Sequence, residues 1–241
     1  MPPLRTLTFL FCATTLTYNL HWLLAGKEYC AHRPEEKYQW YARHTYLGWL
    51  IFELALVGEI WGVAGLSWRE WLYFGHLGAI AVLYNFPEHR GPGWLLRLRR
   101  IPFLKIFLIA YLWATVGAGY PALLLNRIDP VTLLWFAGIF LFVFAITLPF
   151  DIRDMEEDRA HELKTIPARW GMEISKRIAL LSAGLAGVFM VGAGATWSTT
   201  LVITAAAILL IAGSHQKRPE LYFTGLIDGL LVLFVLLVYS Y

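Results

Sequence analysis

Leu148-Pro-Phe-Asp-Ile-Arg-Asp-Met-Glu-Glu-Asp-Arg-Ala-His-Glu-Leu-Lys-Thr-Ile-Pro-Ala-Arg-Trp-Gly171 follows a long apolar run without a break. It carries Asp151, Asp154 and Asp158 at i, i+3 and i+7. On a helix of 3.6 residues per turn, that spacing projects three carboxylates from one side, within an arc of roughly 60°. Like charges held so close repel one another unless a cation or a hydrogen-bond network holds them. Hard oxygen donors of this kind suit Mg²⁺, which keeps several waters and is often shared with substrate phosphates. Two readings follow from the residues alone. One is a metal-bound diphosphate at the mouth of an intramembrane cavity; the other is an acidic juxtamembrane loop that also supplies negative charge to a helix start.

Composition decides the broad class. Hydrophobic residues make up 58% of the chain and charged residues 15%, with a mean hydropathy of +0.56. Soluble domains hold about 45–50% and about 25% respectively. The expected fold is all-α, a polytopic transmembrane helical bundle forming a single integral-membrane domain over residues 1–241. The 11 Trp and 12 Tyr suit interfacial aromatic belts. Cys12 falls in an expected span and Cys30 in a polar loop, so two free thiols and no disulfide are expected. Met1–Pro3 runs almost directly into an apolar segment with no small-residue cleavage pattern, so no cleavable signal peptide is expected.

Apolar runs of about 17–25 residues give eight spans, at 7–26, 45–65, 69–86, 101–122, 130–150, 174–196, 198–213 and 221–239. Alternate loops then share a side. Loops 27–44, 87–100, 151–173 and 214–220, with the flanking Lys105, Lys176 and Arg177, hold 17 of the 20 Lys and Arg. Only Arg5, Arg69 and Arg127 lie opposite. Such a bias assigns the four loops, and the acidic stretch with them, to the cytoplasm. Phosphate-cradling glycine loops, zinc-ligand spacings and Ser/His/Asp signatures are absent. No internal repeat stands out. The basic loops are dispersed and membrane-proximal, which excludes nucleic acid as an expected partner.

Asp151-x-x-Asp154-x-x-x-Asp158, followed by Lys164-Thr165-Ile-Pro167-Ala-Arg169-Trp-Gly171, resembles the second aspartate-rich motif of the UbiA superfamily of intramembrane prenyltransferases. That motif runs into Lys-Thr-hydrophobic-Pro-x-Arg-hydrophobic-Gly. Tyr84-Asn-Phe-Pro-Glu-His89-Arg90 more loosely resembles the family's Tyr followed by Lys or Arg at the exit of its fourth helix. Arg99-Arg-Ile-Pro-Phe-Leu-Lys105 and Tyr222-Phe-Thr-Gly-Leu-Ile-Asp228-Gly229 resemble segments of a short branch of the superfamily. The likeness extends over about residues 7–239.

The resemblance implies Mg²⁺-assisted transfer of a prenyl group from an allylic diphosphate to a hydrophobic, usually aromatic, acceptor. It implies Asp151, Asp154 and Asp158 as metal ligands, the last two catalytic. Lys164 and Arg169 would lie near the phosphates, Asn19 on the opposite wall, and Tyr84 with Arg90 over the diphosphate. The bilayer is the third partner, and a bacterial inner membrane the implied location. An intramembrane terpene cyclase and a catalytically silent isoprenoid-binding or transport protein are the alternatives.

The first motif departs from the family pattern, Asn-x-x-x-Asp-x-x-x-Asp. Tyr18-Asn19 supplies the Asn, but Leu23 and Lys27 stand where the carboxylates belong. Glu28, His32, Glu35 and Glu36 lie nearby, out of register. Lys27 or Arg33 acting as a point charge, a rearranged metal site or another substrate, and a cavity that only binds remain as readings. The family has nine helices, with its second motif after the sixth, whereas here that motif follows the fifth expected span. The family's first helix is therefore expected to be missing from this sequence, either because the chain is genuinely shortened or, the favoured expectation, because its start is assigned too late.

Among polar residues in apolar runs, Glu53 and Glu59 are about 120° out of phase and form no carboxylate pair. Each is read first as protonated or hydrogen-bonded structure. Asp228 faces either a cavity or a neighbouring helix. His21 and His76 are read as packing residues, and Gly184–Gly194 as a close helix-packing face.

Overall fold

A computed structural model describes residues 4–32, 36–85, 101–160 and 162–238, all in helices, turns and short connections. The chain forms two compact units, Met1–Leu98 and Arg99–Tyr241.

In the first unit, α1 (Leu4–Ala25), α2 (Lys27–Ala31), α3 (Glu36–Arg43), α4 (Thr45–Val63) and α5 (Trp68–Asn85) follow in order. Small residues let α1 and α4 approach closely. Gly58 faces Cys12, and a Cβ at Gly62 would lie 2.8 Å from that of Phe9. This is how membrane helices gain dispersion contact where lipid supplies no hydrophobic drive. Phe9 in turn meets Phe74 of α5, with ring centroids 4.8 Å apart. A capping box starts α5: Ser67 N–H donates to Glu70 Oε2 at 2.9 Å, and Glu70 N–H to Ser67 Oγ at 3.4 Å.

The second unit is built around α8. Its helices are α6 (Leu104–Ala114), α7 (Tyr120–Leu125), α8 (Pro130–Arg153), α9 (Met155–Ala160), α10 (Ile166–Gly192), α11 (Trp197–Gly213) and α12 (Asp228–Val238). Wide π-helical turns, Thr115–Gly119 and Tyr222–Ile227, lead into α7 and α12. Asp129 caps α8 by accepting from Thr132 N–H at 2.8 Å, and Pro130 takes the first helical position, where no N–H is needed. Phe142, Ala145 and Leu148 of α8 are buried in one core with Ala179, Ala183, Ala186 and Met190 of α10. A Cβ at Gly138 would come within 2.9 Å of Met190, and one at Gly187 within 2.8 Å of Thr204 on α11. Of the run Gly184–Gly194, Ala186, Gly187 and Met190 are buried and pack, whereas Gly184 and Gly194 have nothing within 4 Å of an added Cβ.

Each of the eight expected spans coincides with helical structure. Thr45–Val63, Leu104–Leu125, Pro130–Arg153 and Ile166–Gly192 are long and apolar enough to cross a membrane, and Trp197–Gly213 and Tyr222–Leu236 are shorter apolar helices. The largest boundary shift is at 174–196, where the helix begins at Ile166 and breaks at Gly171 (φ 80°, ψ 169°). That conformation is open to glycine and essentially closed to residues with a Cβ. Both cysteines are free, as expected, and Cys30, expected in a polar loop, is buried on α2.

Candidate functional site

The acidic motif forms a corner. Helix α8 ends at Arg153, Asp154 sits in the bridge region (φ −89°, ψ 4°), and α9 starts at Met155. Asp154 N–H still donates to Phe150 O at 3.0 Å and Asp158 N–H to Asp154 O at 2.9 Å, so the i, i+4 connection runs across the corner. Three aspartates from one short segment therefore stay within electrostatic reach of one another. Their surroundings differ.

Asp151 is 2% exposed, and its Oδ1 lies 3.2 Å from Lys105 Nζ at the start of α6. Asp154 is clamped by its neighbour: Arg153 Nε donates to Oδ1 at 2.7 Å and Nη2 to Oδ2 at 3.0 Å. The same guanidinium reaches Glu220 Oε1 at 2.9 Å and lies over the rings of Phe150 and Phe223. Asp158 is buried, and its Oδ2 accepts from the Thr165 hydroxyl at 2.9 Å. Burial pushes the Asp158 carboxyl above the usual carboxylate range. The Thr165 bond and the charge of Lys105 oppose the rise, while Asp151 and Asp154 add to it.

The segment after the corner returns onto it. Thr165 caps α10 by accepting from Ala168 N–H at 3.4 Å while its hydroxyl hydrogen goes to Asp158. Arg159 Nε donates to Ala168 O at 3.1 Å. Phe103 N–H donates to Lys164 O at 3.2 Å, and the Phe103 ring lies 5.0 Å from that of Trp170. The motif thereby sets the start of α6, and with it the position of Lys105.

Lys164 and Arg169, expected near the phosphates, belong to this returning segment with exposed side chains. In the first unit, Asn19 is half-buried on α1 and its amide donates to Thr15 O at 2.9 Å. Leu23, at a position where the family pattern has Asp, packs against the small cluster of Cys30, Tyr41 and Ala42. Lys27 is exposed at the start of α2, and His32 is exposed just after it. Tyr84 lies in the last turn of α5, its side chain outside the described residues; Arg33, Glu35 and Arg90 lie outside them altogether. Glu53 is exposed, Glu59 half-buried, and Asp228 opens α12.

Sequence reasoning placed Lys105 among flanking charges and in a segment resembling a short branch of the family, and gave it, Thr165, Arg153 and Glu220 no role at the site. Thr165 had a legible signal, a hydroxyl directly before Ile166-Pro167, which is a helix-start pattern. The Lys105 and Glu220 contacts cross 46 and 67 residues, and no local pattern announces them.

Among the described residues, no three His, Cys, Asp or Glu side chains converge on one point able to hold a metal ion. The donor chemistry nonetheless fits Mg²⁺ shared with a diphosphate, which needs only one or two carboxylates besides phosphate oxygens and water. Asp158 is the aspartate of the three held by a neutral hydroxyl, among the described residues, while Asp151 and Asp154 are held by cations.

Apolar helices of spanning length and an acid-rich corner at the end of one of them define an integral membrane protein of the polytopic helical class. The model of the UbiA prenyltransferase family matches residues 41–222, about three quarters of the chain, and the chain belongs to that family. No match was found among curated proteins or among solved structures.

Proposed function

We propose that this protein binds an allylic prenyl diphosphate at the acidic corner and transfers the prenyl group to an aromatic acceptor within the membrane. Family membership over residues 41–222 supports a prenyltransferase-type activity. The observation that carries the site is the cluster of Asp151, Asp154 and Asp158, with Lys105 on Asp151, Arg153 on Asp154 and Thr165 on Asp158. The bias of Lys and Arg supports a cytoplasmic face for this corner, the side an intracellular diphosphate would reach, and a bacterial inner membrane is the location that goes with this reading.

In the transfer, the bond between the allylic carbon and the diphosphate oxygen breaks, with its electron pair leaving on oxygen. The acceptor ring forms the new carbon–carbon bond and gives up a proton to a base. Mg²⁺ held by Asp158, with Asp154 on the adjoining turn, would supply charge stabilisation to the departing oxygens. Lys164 and Arg169 would bring positive charge from the returning segment to the diphosphate, and the family resemblance implies Tyr84 and Arg90 as its cover. The family resemblance implies Asn19 as part of the first motif, with Lys27 or Arg33 as a point charge in place of the carboxylate where Leu23 stands. Aromatic faces steady the developing carbocation, and the apolar surroundings keep water from quenching it.

A binding protein without turnover is the second reading, favoured by the cation partners already on Asp151 and Asp154. Purified protein incubated with allylic diphosphates of several chain lengths, with and without Mg²⁺, separates the possibilities. Pyrophosphate release that requires an aromatic acceptor supports transfer, and release without one indicates cyclisation or hydrolysis. Mg²⁺-dependent binding with no release under any condition would replace the transferase reading with the binding one.

A further inference from the structure

We propose that Lys105 is a built-in counter-ion of the acidic corner, a positioning residue that holds Asp151 in place and withdraws it from metal coordination. This rests on the diphosphate reading above and deepens it: the site takes up fewer divalent ions than three available aspartates would.

The buried carboxylate comes first. Asp151 is 2% exposed and meets the Lys105 ammonium at 3.2 Å. A carboxylate so placed must be paired or neutralised, because an isolated buried charge is strongly disfavoured. Lys105 does this from a second helix, 46 residues away in the chain.

The placement of Lys105 is built rather than incidental. Phe103, just before α6, has φ 64°, a left-handed conformation uncommon for a bulky side chain. It persists because the surroundings over-determine it. Phe103 N–H is taken by Lys164 O at 3.2 Å, and its ring lies 5.0 Å from Trp170. The segment that completes the aspartate motif therefore also anchors the cation that neutralises the motif's first aspartate. The charge of Lys105 extends to Asp158 as well, so its removal would leave the whole corner more negative. An ammonium is a compact point charge. This one lies against the Asp151 Oδ1 that a divalent ion would need as a ligand.

The test uses the full-length protein in lipid nanodiscs, inorganic pyrophosphate as the probe, and calorimetry over a range of Mg²⁺ concentrations. Variants are compared with one another so that Mg²⁺ binding to pyrophosphate itself cancels. Lys105→Met should weaken binding roughly ten-fold at limiting Mg²⁺, because Lys105 is half-exposed and its charge partly screened. The slope of log affinity against log Mg²⁺ should rise by about one, as a further ion is recruited to Asp151. Lys105→Arg should behave as the wild type. Lys105→Met with Asp151→Asn removes both charges in near-isosteric form and should return affinity to within about three-fold, with the original slope. Asp151→Asn alone should keep the wild-type slope.

An unchanged slope and affinity in Lys105→Met would overturn the inference. So would a double variant no better than Lys105→Met, which would mean that Lys105 touches the diphosphate itself. A lower slope in Asp151→Asn would identify Asp151 as a metal ligand and overturn it too. Should Lys105→Met fail to fold, the Asp151→Asn and double variants decide by the same criteria. Wild-type protein that binds no pyrophosphate at any Mg²⁺ concentration would sink the proposed function and this inference together, an outcome distinct from the others.

Discussion

Asn19 and Asp151 are both polar side chains in largely apolar helices, yet they are satisfied in different ways. Asn19, in the first unit, bonds to a carbonyl four residues back in its own helix. Asp151, in the second, meets a lysine from another helix, 46 residues away. The contrast extends to their neighbours. Leu23 turns a position of the family's first acidic motif into a small apolar contact with Cys30, Tyr41 and Ala42. The second motif instead gathers Lys105, Arg153, Thr165 and Glu220 around its aspartates. A local hydrogen bond satisfies a polar group without fixing anything at a distance. A network that crosses helices also sets their relative positions, so the second unit is where residue changes should propagate.

The largest effect is expected at Asp158. Asp158→Asn keeps a partner for the Thr165 hydroxyl but removes the charge. Mg²⁺-dependent pyrophosphate binding should fall by about 100-fold or more, read by calorimetry, while the melting temperature does not fall. Unchanged affinity would mean that the second unit's acidic network is structural only.

Leu23→Asp probes the opposite side of the comparison. It restores a family carboxylate in sequence, but places it against Cys30, Tyr41 and Ala42. A loss of about 2 kcal/mol is expected from burying an unsatisfied polar group, seen as a lower denaturation midpoint and no gain in Mg²⁺ dependence. A gain in Mg²⁺ dependence at unchanged stability would show that one substitution re-forms the first motif. Gly171→Ala strikes the returning segment. Nothing lies within 4 Å of the added Cβ, so the cost is conformational, from φ 80°, and is expected at about 1–3 kcal/mol. Thermal melts of this variant beside Gly184→Ala, an open helical position with φ of ordinary sign, check it: equal midpoints would remove the strain argument.

The pH response follows from the raised Asp158 carboxyl. An acid whose folded pKa lies above its unfolded value, about 3.9, contributes stability that is fully present below that value and is lost as pH rises through the folded one. Metal-free protein should therefore melt at falling temperature as pH rises from about 4, and Asp158→Asn should flatten that decline. An identical decline in the variant would assign it to another group. The smallest effect belongs to Asn19→Ala. Its bond is local, and alanine is the better helix former, so folding stability should change by less than about 0.5 kcal/mol. Any loss of pyrophosphate affinity in that variant would then report contact with substrate rather than a damaged helix.

The long helices of both units were legible because each rests on an apolar run, which has few alternatives once it enters lipid, whereas the short polar helices α2, α3 and α9 fall in stretches expected as loops. The second motif was legible because its aspartates share one segment and one helical phase. The corner at Asp154 was not, since a bend between two helical pieces leaves the i, i+3, i+7 spacing intact. The break at Gly171 likewise moved a boundary from 174 to Ile166, because Pro167 and Thr165 start the helix eight residues before the apolar run. Tyr84's side chain and Arg90 fall outside the described residues, so their expected place over the diphosphate stands as proposed.

By itself, the sequence determined the membrane class, the order of the helices and the segment that carries the acids, because these depend on hydropathy and on spacing within one stretch of chain. Only the tertiary structure decided what each acid meets: Lys105 on Asp151, an Arg153 shared with Glu220 on Asp154, Thr165 on Asp158. Charge interactions depend on distance in space. A lysine 46 residues from its carboxylate leaves no mark on local periodicity, and it becomes a counter-ion only when two helices are packed.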